Sequence, residues 1–359
     1  MTLKRPARRR FIHISAALGG AFLLTGAGLP ATTAVARATA TRASRQTTHT
    51  WTGIALGADA SLQITHPDAS VAQALIERCV AEVQRLEGLF SLYRDDSALS
   101  MLNRRGFLND PANDFVTLLD RSKEFSRLTD GAFDVTVQPL WQAYADYFSA
   151  NPEPHSHAAG GPDAGAATIP AELHQHVQNA LKRVNWRHIV IDPSAIRLDQ
   201  PGMAITLNGI AQGYVTDRIT QLLAASGIDH ALVNMGEIYG LNPDSPADGQ
   251  PWRVGLENAR QPGHIARRIA IQNQAVATSG AYGTPFTPDM RHNHLLDPRT
   301  GLSSHLYRSV SVVAADATTA DAMSTAFSLM PETAIRTLSR ELGVQTYLQA
   351  GDEHAIRQI

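Results

Sequence analysis

The sequence predicts a protein of mixed α-helix and β-strand, large enough for one big domain or two ordinary ones. Three observations predict it. Residues 68–88 and 115–128 repeat apolar side chains at helical spacing. Short apolar runs at Ile189–Ile191, Ala204–Leu207, Ala231–Asn234, Trp252–Leu256 and Ser309–Val313 read as strands alternating with helices. The chain has 359 residues, enough to bury a substantial core.

The first residues read as a targeting segment rather than as part of the fold. Lys4, Arg5, Arg8, Arg9 and Arg10 form a basic head, followed by an apolar, Gly- and Ala-rich run from Ile14 to about Leu29. Ala34-Val35-Ala36 offers a small-x-small cleavage site, so residues 1–36 read as a signal peptide. The apolar run is too short and too glycine-rich for a good membrane span, and no cysteine follows it to carry a lipid anchor. Arg8-Arg9-Arg10-Phe11-Ile12 fits the twin-arginine pattern, with an ordinary secretory signal as the alternative. Removing five cations and no acids takes the formal charge from -2 to -7. The expected product is soluble, acidic and periplasmic, without a membrane anchor or nucleic-acid affinity of its own. Residues 37–50 are Ala/Thr/Arg-rich, lack apolar periodicity, and read as a flexible linker to a single unit over 51–359.

Residues 51–65 read as a strand pair or bent strand around Gly57. The helix over 68–88 would bury Val71, Leu75, Cys79, Val83 and Leu86, with Asp68 or Ser70 capping its start. Cys79 is the single cysteine, which excludes an intramolecular disulfide and a cysteine-rich metal site. A second amphipathic helix runs from about Phe115 to Leu128. From Ser149 to about Thr168 the chain is rich in Gly, Pro, Ala and His and has no period. It reads as a flexible insertion or lid, whose His155 and His157 are solvated rather than metal-bound. A last helix pair covers about Thr319–Met330 and Glu332–Leu342, and there is no internal repeat.

The chemistry sits on turns between these elements. His294 to Leu302, HLLDPRTGL, gathers an imidazole, a carboxylate, a guanidinium and a hydroxyl around a Pro and a Gly. Asp297-Pro298 and Thr300-Gly301 make it a tight loop, and sites sit on loops of rigid scaffolds. Asp130-Gly131-Ala132-Phe133-Asp134 precedes Gln138-Pro139-Leu140. Asn208-Gly209-Ile210-Ala211-Gln212-Gly213-Tyr214 leads into a helix, where glycine allows close backbone approach and the helix N-terminus favours an anion. Thr278-Ser279-Gly280 is a small polar turn. In Asp321-Ala322-Met323-Ser324-Thr325 the carboxylate and the last hydroxyl share a helix face, a pair able to hold Mg²⁺ through hard oxygens. The plainer reading of Asp321 is an early-helix acid favouring the dipole.

In this order the motifs resemble those of the FAD:protein FMN transferases, over about Thr52 to Leu348, nearly all of the chain after the signal. The resemblance rests on Ser91-x-Tyr93 with Asn103, DGAFD with QPL, NGIAQGY, TSG, HLLDPRTG and ADAMSTA. It implies an α+β fold, with mixed β-sheets flanked by helices and a ligand cleft between two lobes of one compact unit. It implies Mg²⁺-dependent transfer of FMN from FAD to a Thr or Ser hydroxyl of a flavin-accepting protein, releasing AMP. Carried over by position, Leu56, Tyr93, Gly131, Ala132, Phe133, Thr206, Gln212, Ser279 and Leu295 would contact FAD. Gly209 through its carbonyl, Asp321 and Thr325 would bind Mg²⁺. His294 and Asp297 would lie beside the pyrophosphate, His294 as the base for the target hydroxyl.

The sequence departs from the family pattern at Thr206, where most members have Asp, at Gln212, where most have Lys, and at Asn208, where a Gly is usual. Losing an acid and a base together leaves local charge unchanged. Met235-Gly236-Glu237 replaces the usual Gly-Gly. With the twin-arginine signal, these variants look like the branch that supports nitrous oxide respiration, whose acceptor would be a membrane flavoprotein facing the periplasm. Two other readings share the site: hydrolysis of FAD to FMN and AMP, and non-catalytic periplasmic FAD binding or delivery.

Overall fold

The computed structural model describes residues 47–151, 169–192, 194–243, 250–351, 353 and 355–359. The expected signal peptide, most of the linker, and 152–168 of the expected insertion lie outside the described residues.

Strands β1 (Thr47–Ala55) and β2 (Ala58–His66) form a hairpin. Leu56 and Gly57 make its turn with φ of 48° and 81°, the left-handed pair that matches the twist of the flanking strands. Thr47–Thr50 belong to this ladder, pairing with Gln63–His66, so the linker ends earlier than expected. Thr48, Thr50 and Thr52 alternate with the more buried His49 and Trp51 on a strand period, which suits a half-covered edge strand.

Helix α1 (Ala69–Phe90) starts where the Asp68 carboxylate accepts from the Ser70 and Val71 amides, a cap worth about 1 kcal/mol. Leu75, Cys79, Val83 and Leu86 are buried as expected, but Val71 is exposed. Ala72 and Ile76 take its place on the buried stripe, because a 3.6-residue period rotates the face faster than a strict i, i+4 row. Then come α2 (Ala98–Arg105), β3 (Phe107–Asn109), α3 (Asn113–Leu128), α4 (Gln138–Ala150) and α5 (Ala171–Leu181). Ser149 and Ala150, expected in the insertion, end α4.

The rest of the chain is β4 (Ile189–Asp192), β5 (Ala195–Leu198), α6 (Ala211–Ala225), β6 (Ala231–Asn234), β7 (Ile238–Leu241), β8 (Trp252–Glu257), β9 (Ile265–Ile271), β10 (Gln274–Gly280), β11 (Ser309–Ala314), α7 (Ala317–Phe327), α8 (Glu332–Leu342), β12 (Gln345–Gln349) and β13 (Arg357–Gln358). Ala204–Leu207, expected as a strand, is not one. The Asn103 side chain binds both the N–H and the C=O of Ile205, at 2.7 and 2.8 Å, and the Thr206 N–H donates to Val135 O. Those bonds occupy the groups a ladder would need.

Eight strands form the main sheet in the order β1-β2-β6-β7-β10-β11-β12-β13. The class is α+β, with helices against the sheet. All its ladders are antiparallel, where mixed sheets were expected. Tight turns join β1 to β2 and β6 to β7, while longer excursions, among them the α7–α8 pair between β11 and β12, bring the other neighbours back antiparallel. Both faces are covered, so β11 is buried throughout. Val310 and Val312 join the core that includes residues of α1, α6 and α7. Val313 points the other way, into a core with Val254, Leu256, Ile269 and Ile271 of the β8–β9 hairpin. A third cluster, Leu140, Tyr144, Phe148, Leu173, Val177, Ala180 and Leu296, joins α4, α5 and the HLLDPRTGL loop into a second lobe.

No helix among the described residues is long and apolar enough to cross a membrane.

Candidate functional site

The cleft lies between the lobe and the α6–α7 side of the sheet, and its body wall is built by close packing. Helix α7 meets the sheet through alanines: Ala275, Ala277, Ala314, Ala317 and Ala320 form one cluster. Small side chains let the helix approach closely. At Gly213 of α6 an added Cβ would stand 2.2 Å from the Ala317 carbonyl oxygen, so only glycine fits there. The Gly213 N–H donates to the Asp321 carboxylate at 3.0 Å. Asp217, one turn later, accepts from the amides of Ala317 and Thr318 at 2.7 and 2.8 Å and from the Thr318 hydroxyl. Its carboxylate therefore caps α7 from α6. Burial pushes the Asp217 carboxyl up to about 6, against the pull of those donors.

Gly209 lies directly against Thr325: a Cβ on it would fall 2.9 Å from the Thr325 hydroxyl. Ser279 at the end of β10 bonds Ser324 at 2.7 Å and reaches Thr325 at 3.4 Å. The NGIAQGY turn, the TSG strand end and the ADAMSTA helix thus converge. The Gly209 main chain, the Asp321 carboxylate and the Thr325 hydroxyl supply a backbone carbonyl, an acid and a hydroxyl on one wall. That is an oxygen-only donor set of the kind Mg²⁺ takes, leaving positions for water or phosphate.

The lobe wall is apolar. Trp141 and Leu296 line it, with Pro298 and Leu295. Asp134 caps a short helical turn, its carboxylate accepting from the Thr136 N–H and hydroxyl and the Trp186 N–H. Burial nonetheless raises its affinity for a proton. His294 lines the cleft, its ring 3.2 Å from where a Cβ of Gly283 would be. The loop that carries it is held from behind: the Leu295 N–H donates to the Asn293 side chain, and Tyr144 donates to the Gly301 carbonyl at 2.9 Å.

The cleft has a volume of about 160 Å³, roughly ten times what one water needs. Of the residues expected at the site, Ala132, Phe133, Thr206, Gly209, Gln212, Ser279, His294, Leu295, Asp321 and Thr325 line it together. Leu56 and Tyr93 line a smaller neighbouring cleft, which shares Asn208 and Gln212 with the first. Gly131 lines neither; its N–H donates to Ser126 O and turns the chain so that Ala132 and Phe133 face inward. Asp297 does not line the cleft either. Its carboxylate pairs with the Arg299 guanidinium at 2.8 Å and accepts the Arg299 N–H, so it shapes the loop.

Glu237, Tyr282 and Trp141 also line the cleft, and sequence reasoning did not select them. Glu237 was visible only as part of a variant Met-Gly-Glu turn. Burial, then the charge of Asp321, holds the Glu237 carboxyl well above the usual carboxylate range. No Lys or Arg is among the described residues that line the cleft.

The sequence profile of the ApbE family matches residues 56–348. The chain belongs to the ApbE family. An FAD:protein FMN transferase of Treponema pallidum is 31% identical, over 72% of this chain and 72% of its own length. One from Klebsiella pneumoniae is 28% identical over 93% of this chain and 91% of its own. Among solved structures, the flavin transferase ApbE from Vibrio cholerae superimposes with a TM-score of 0.69 at 23% identity, covering 88% of this chain and 97% of that one. The ApbE protein of Thermotoga maritima gives 0.69 at 25% identity, over 87% and 97%. The ApbE fold therefore spans both lobes and the cleft.

Proposed function

We propose that this ApbE-family enzyme transfers FMN from FAD to a Thr or Ser hydroxyl of an acceptor protein. The observation that carries the reading is the composition of the cleft: buried carboxylates and hydroxyls on one wall, an imidazole on the other, and no cationic side chain lining it. A pyrophosphate cannot enter an acidic cleft without a counter-cation. Gly209, Asp321 and Thr325 are the residues that would hold Mg²⁺, which supplies charge neutralisation of the pyrophosphate when bound.

The chain's own groups do the rest. Ala132 and Phe133, with the apolar lobe wall, give the flavin end a dry surface. His294 takes the proton from the acceptor hydroxyl. The freed oxygen forms a bond to the FMN phosphorus as the bond from that phosphorus to the AMP oxygen breaks, so AMP leaves. Arg299 and Asp297 keep the His294 loop in register.

The reading extends to location. The twin-arginine pattern at Arg8-Arg9-Arg10-Phe11-Ile12 supports export to the periplasm, and the variants at Thr206, Gln212 and 235–237 favour a membrane flavoprotein of nitrous oxide respiration as acceptor.

Intact-mass spectrometry tests this directly. The protein is mixed with FAD, Mg²⁺ and the periplasmic flavin domain of such an acceptor, with an alanine variant at its candidate Thr as control. A gain of one FMN on the native acceptor alone is expected. AMP without a mass gain would mean FAD hydrolysis or a different acceptor. Neither AMP nor mass gain would leave a flavin-binding protein.

A further inference from the structure

We propose that Glu237 is a further carboxylate ligand of the divalent cation, opposite Asp321. This rests on the reading that the cleft takes such a cation. It adds a residue from the β6–β7 turn to the donors from α6 and α7.

The backbone presents Glu237 rigidly. The Met235 N–H donates to the Glu237 carbonyl at 3.2 Å, and the Thr216 hydroxyl of α6 donates to the same oxygen at 3.0 Å. The Gly236 N–H donates to the Asn234 side chain at 3.1 Å. With its main chain tied, Glu237 lines the cleft and is 7% exposed. Asp321 is 3% exposed in the same cleft. Glu237, Thr278 and Asp321 line the cleft together. Two buried acids lining one cleft repel when both are charged, and a divalent cation held by both converts that repulsion into binding.

A second observation points to a ligand at the same spot. Gln212 is 4% exposed and its Nε2 is buried without a hydrogen-bond partner among the described residues. Its amide lies against Gly236, 2.5 Å from where a Cβ would be, so it is next to Glu237. The Tyr282 hydroxyl, also in the cleft wall, is likewise buried and unpartnered among the described residues. A buried donor left unmade costs about 1–3 kcal/mol. Carboxylates with unmet donors beside them suit one composite ligand: a cation for the acids and its phosphate oxygens for the amide and the phenol.

The test uses Mn²⁺ alone as probe, titrated into the purified protein without nucleotide and followed by electron paramagnetic resonance of the free ion. The parent is compared with Glu237→Gln, Glu237→Asp and Asp321→Asn. Glu237→Gln is expected to bind Mn²⁺ about tenfold more weakly or worse. Its metal-free melting temperature should equal or exceed the parent's, because one of two repelling charges is gone, and Mn²⁺ should raise that temperature less. Glu237→Asp, which keeps the charge, should recover part of the affinity. Affinity within twofold of the parent in Glu237→Gln, with loss in Asp321→Asn, would overturn the proposal and leave the cation reading standing. No Mn²⁺ binding by the parent would overturn both, whereas flavin transfer itself is read separately by acceptor mass.

Discussion

The two walls of the cleft are made differently. On the body side, α6 and α7 are locked by contacts that tolerate no added atom: the glycine over Ala317, the alanine seam on the sheet, and an Asp217 carboxylate capping the neighbouring helix. On the lobe side, aromatic and aliphatic side chains of α4 and α5 support a loop through scattered polar ties, with ring pairs such as Trp141–Phe286 at 5.9 Å and Tyr144–Phe286 at 5.4 Å. The oxygens proposed to bind the cation are on the locked wall, and His294, the proposed proton acceptor, is on the looped wall. A metal site needs ligands fixed to a fraction of an ångström, whereas an imidazole that serves a large protein substrate needs access.

Changes on each side should therefore fail in different ways. The largest effect is expected on the lobe. His294→Ala should slow FMN transfer about a thousandfold, as removal of a general base does, while leaving the unfolding midpoint and Mn²⁺ affinity at parent values. Undiminished transfer in a single-turnover mass assay would remove His294 from the reaction.

On the body the damage should be structural. Gly213→Ala forces a Cβ onto the Ala317 carbonyl and should cost about 3 kcal/mol of stability, read as a lower denaturant midpoint. Because Asp321 shares that contact, cation affinity should fall with it. A variant as stable as the parent would mean that the two helices are not locked.

The Asp217 cap gives the body wall its own pH signature. Its folded value is raised from the ordinary 3.8 to about 6, so its contribution is fully present below pH 3.8 and is lost as pH rises through about 6. The loss is on the order of 3 kcal/mol. Asp217→Asn cannot ionise, so its stability relative to the parent should climb between pH 4 and pH 7. Denaturant melts across that window check the sign. A relative fall would mean that the three donated hydrogen bonds outweigh burial.

The smallest effect is expected where the loop is tied at the surface. Asp297→Asn weakens a pair with a half-exposed Arg299 and should cost less than about 1 kcal/mol. Steady-state kinetics should show a few-fold rise in KM for acceptor with kcat little changed. A collapse of kcat would return Asp297 to the chemistry.

Local signals carried much of the fold. Gly57 marked a strand pair or a bent strand, which the structure makes the β1–β2 hairpin, and of the two caps offered ahead of the apolar stripe, Asp68 and Ser70, the structure uses Asp68 to start α1. The glycine and small-residue motifs announced where the chain packs closely around the cleft, because close approach leaves its trace in residue type. Residues 204–207 were misread because an apolar run reads as a strand, and nothing local showed Asn103 taking its hydrogen bonds.

By itself, then, the sequence determined the helix and strand segments that have periodicity and caps, the order of the ligand-facing turns, and the family they resemble. Only the tertiary structure decided that Glu237, Tyr282 and Asp321 meet in one cleft, that Asp297 turns to Arg299, and that α4 and α5 build the opposing wall. The physical reason is range. Caps, turns and periodicity act over a few neighbours, whereas the meeting of residues from the β6–β7 turn, the end of β10 and α7 depends on the pairing of β7 with β10 and on how closely alanines let a helix lie on the sheet.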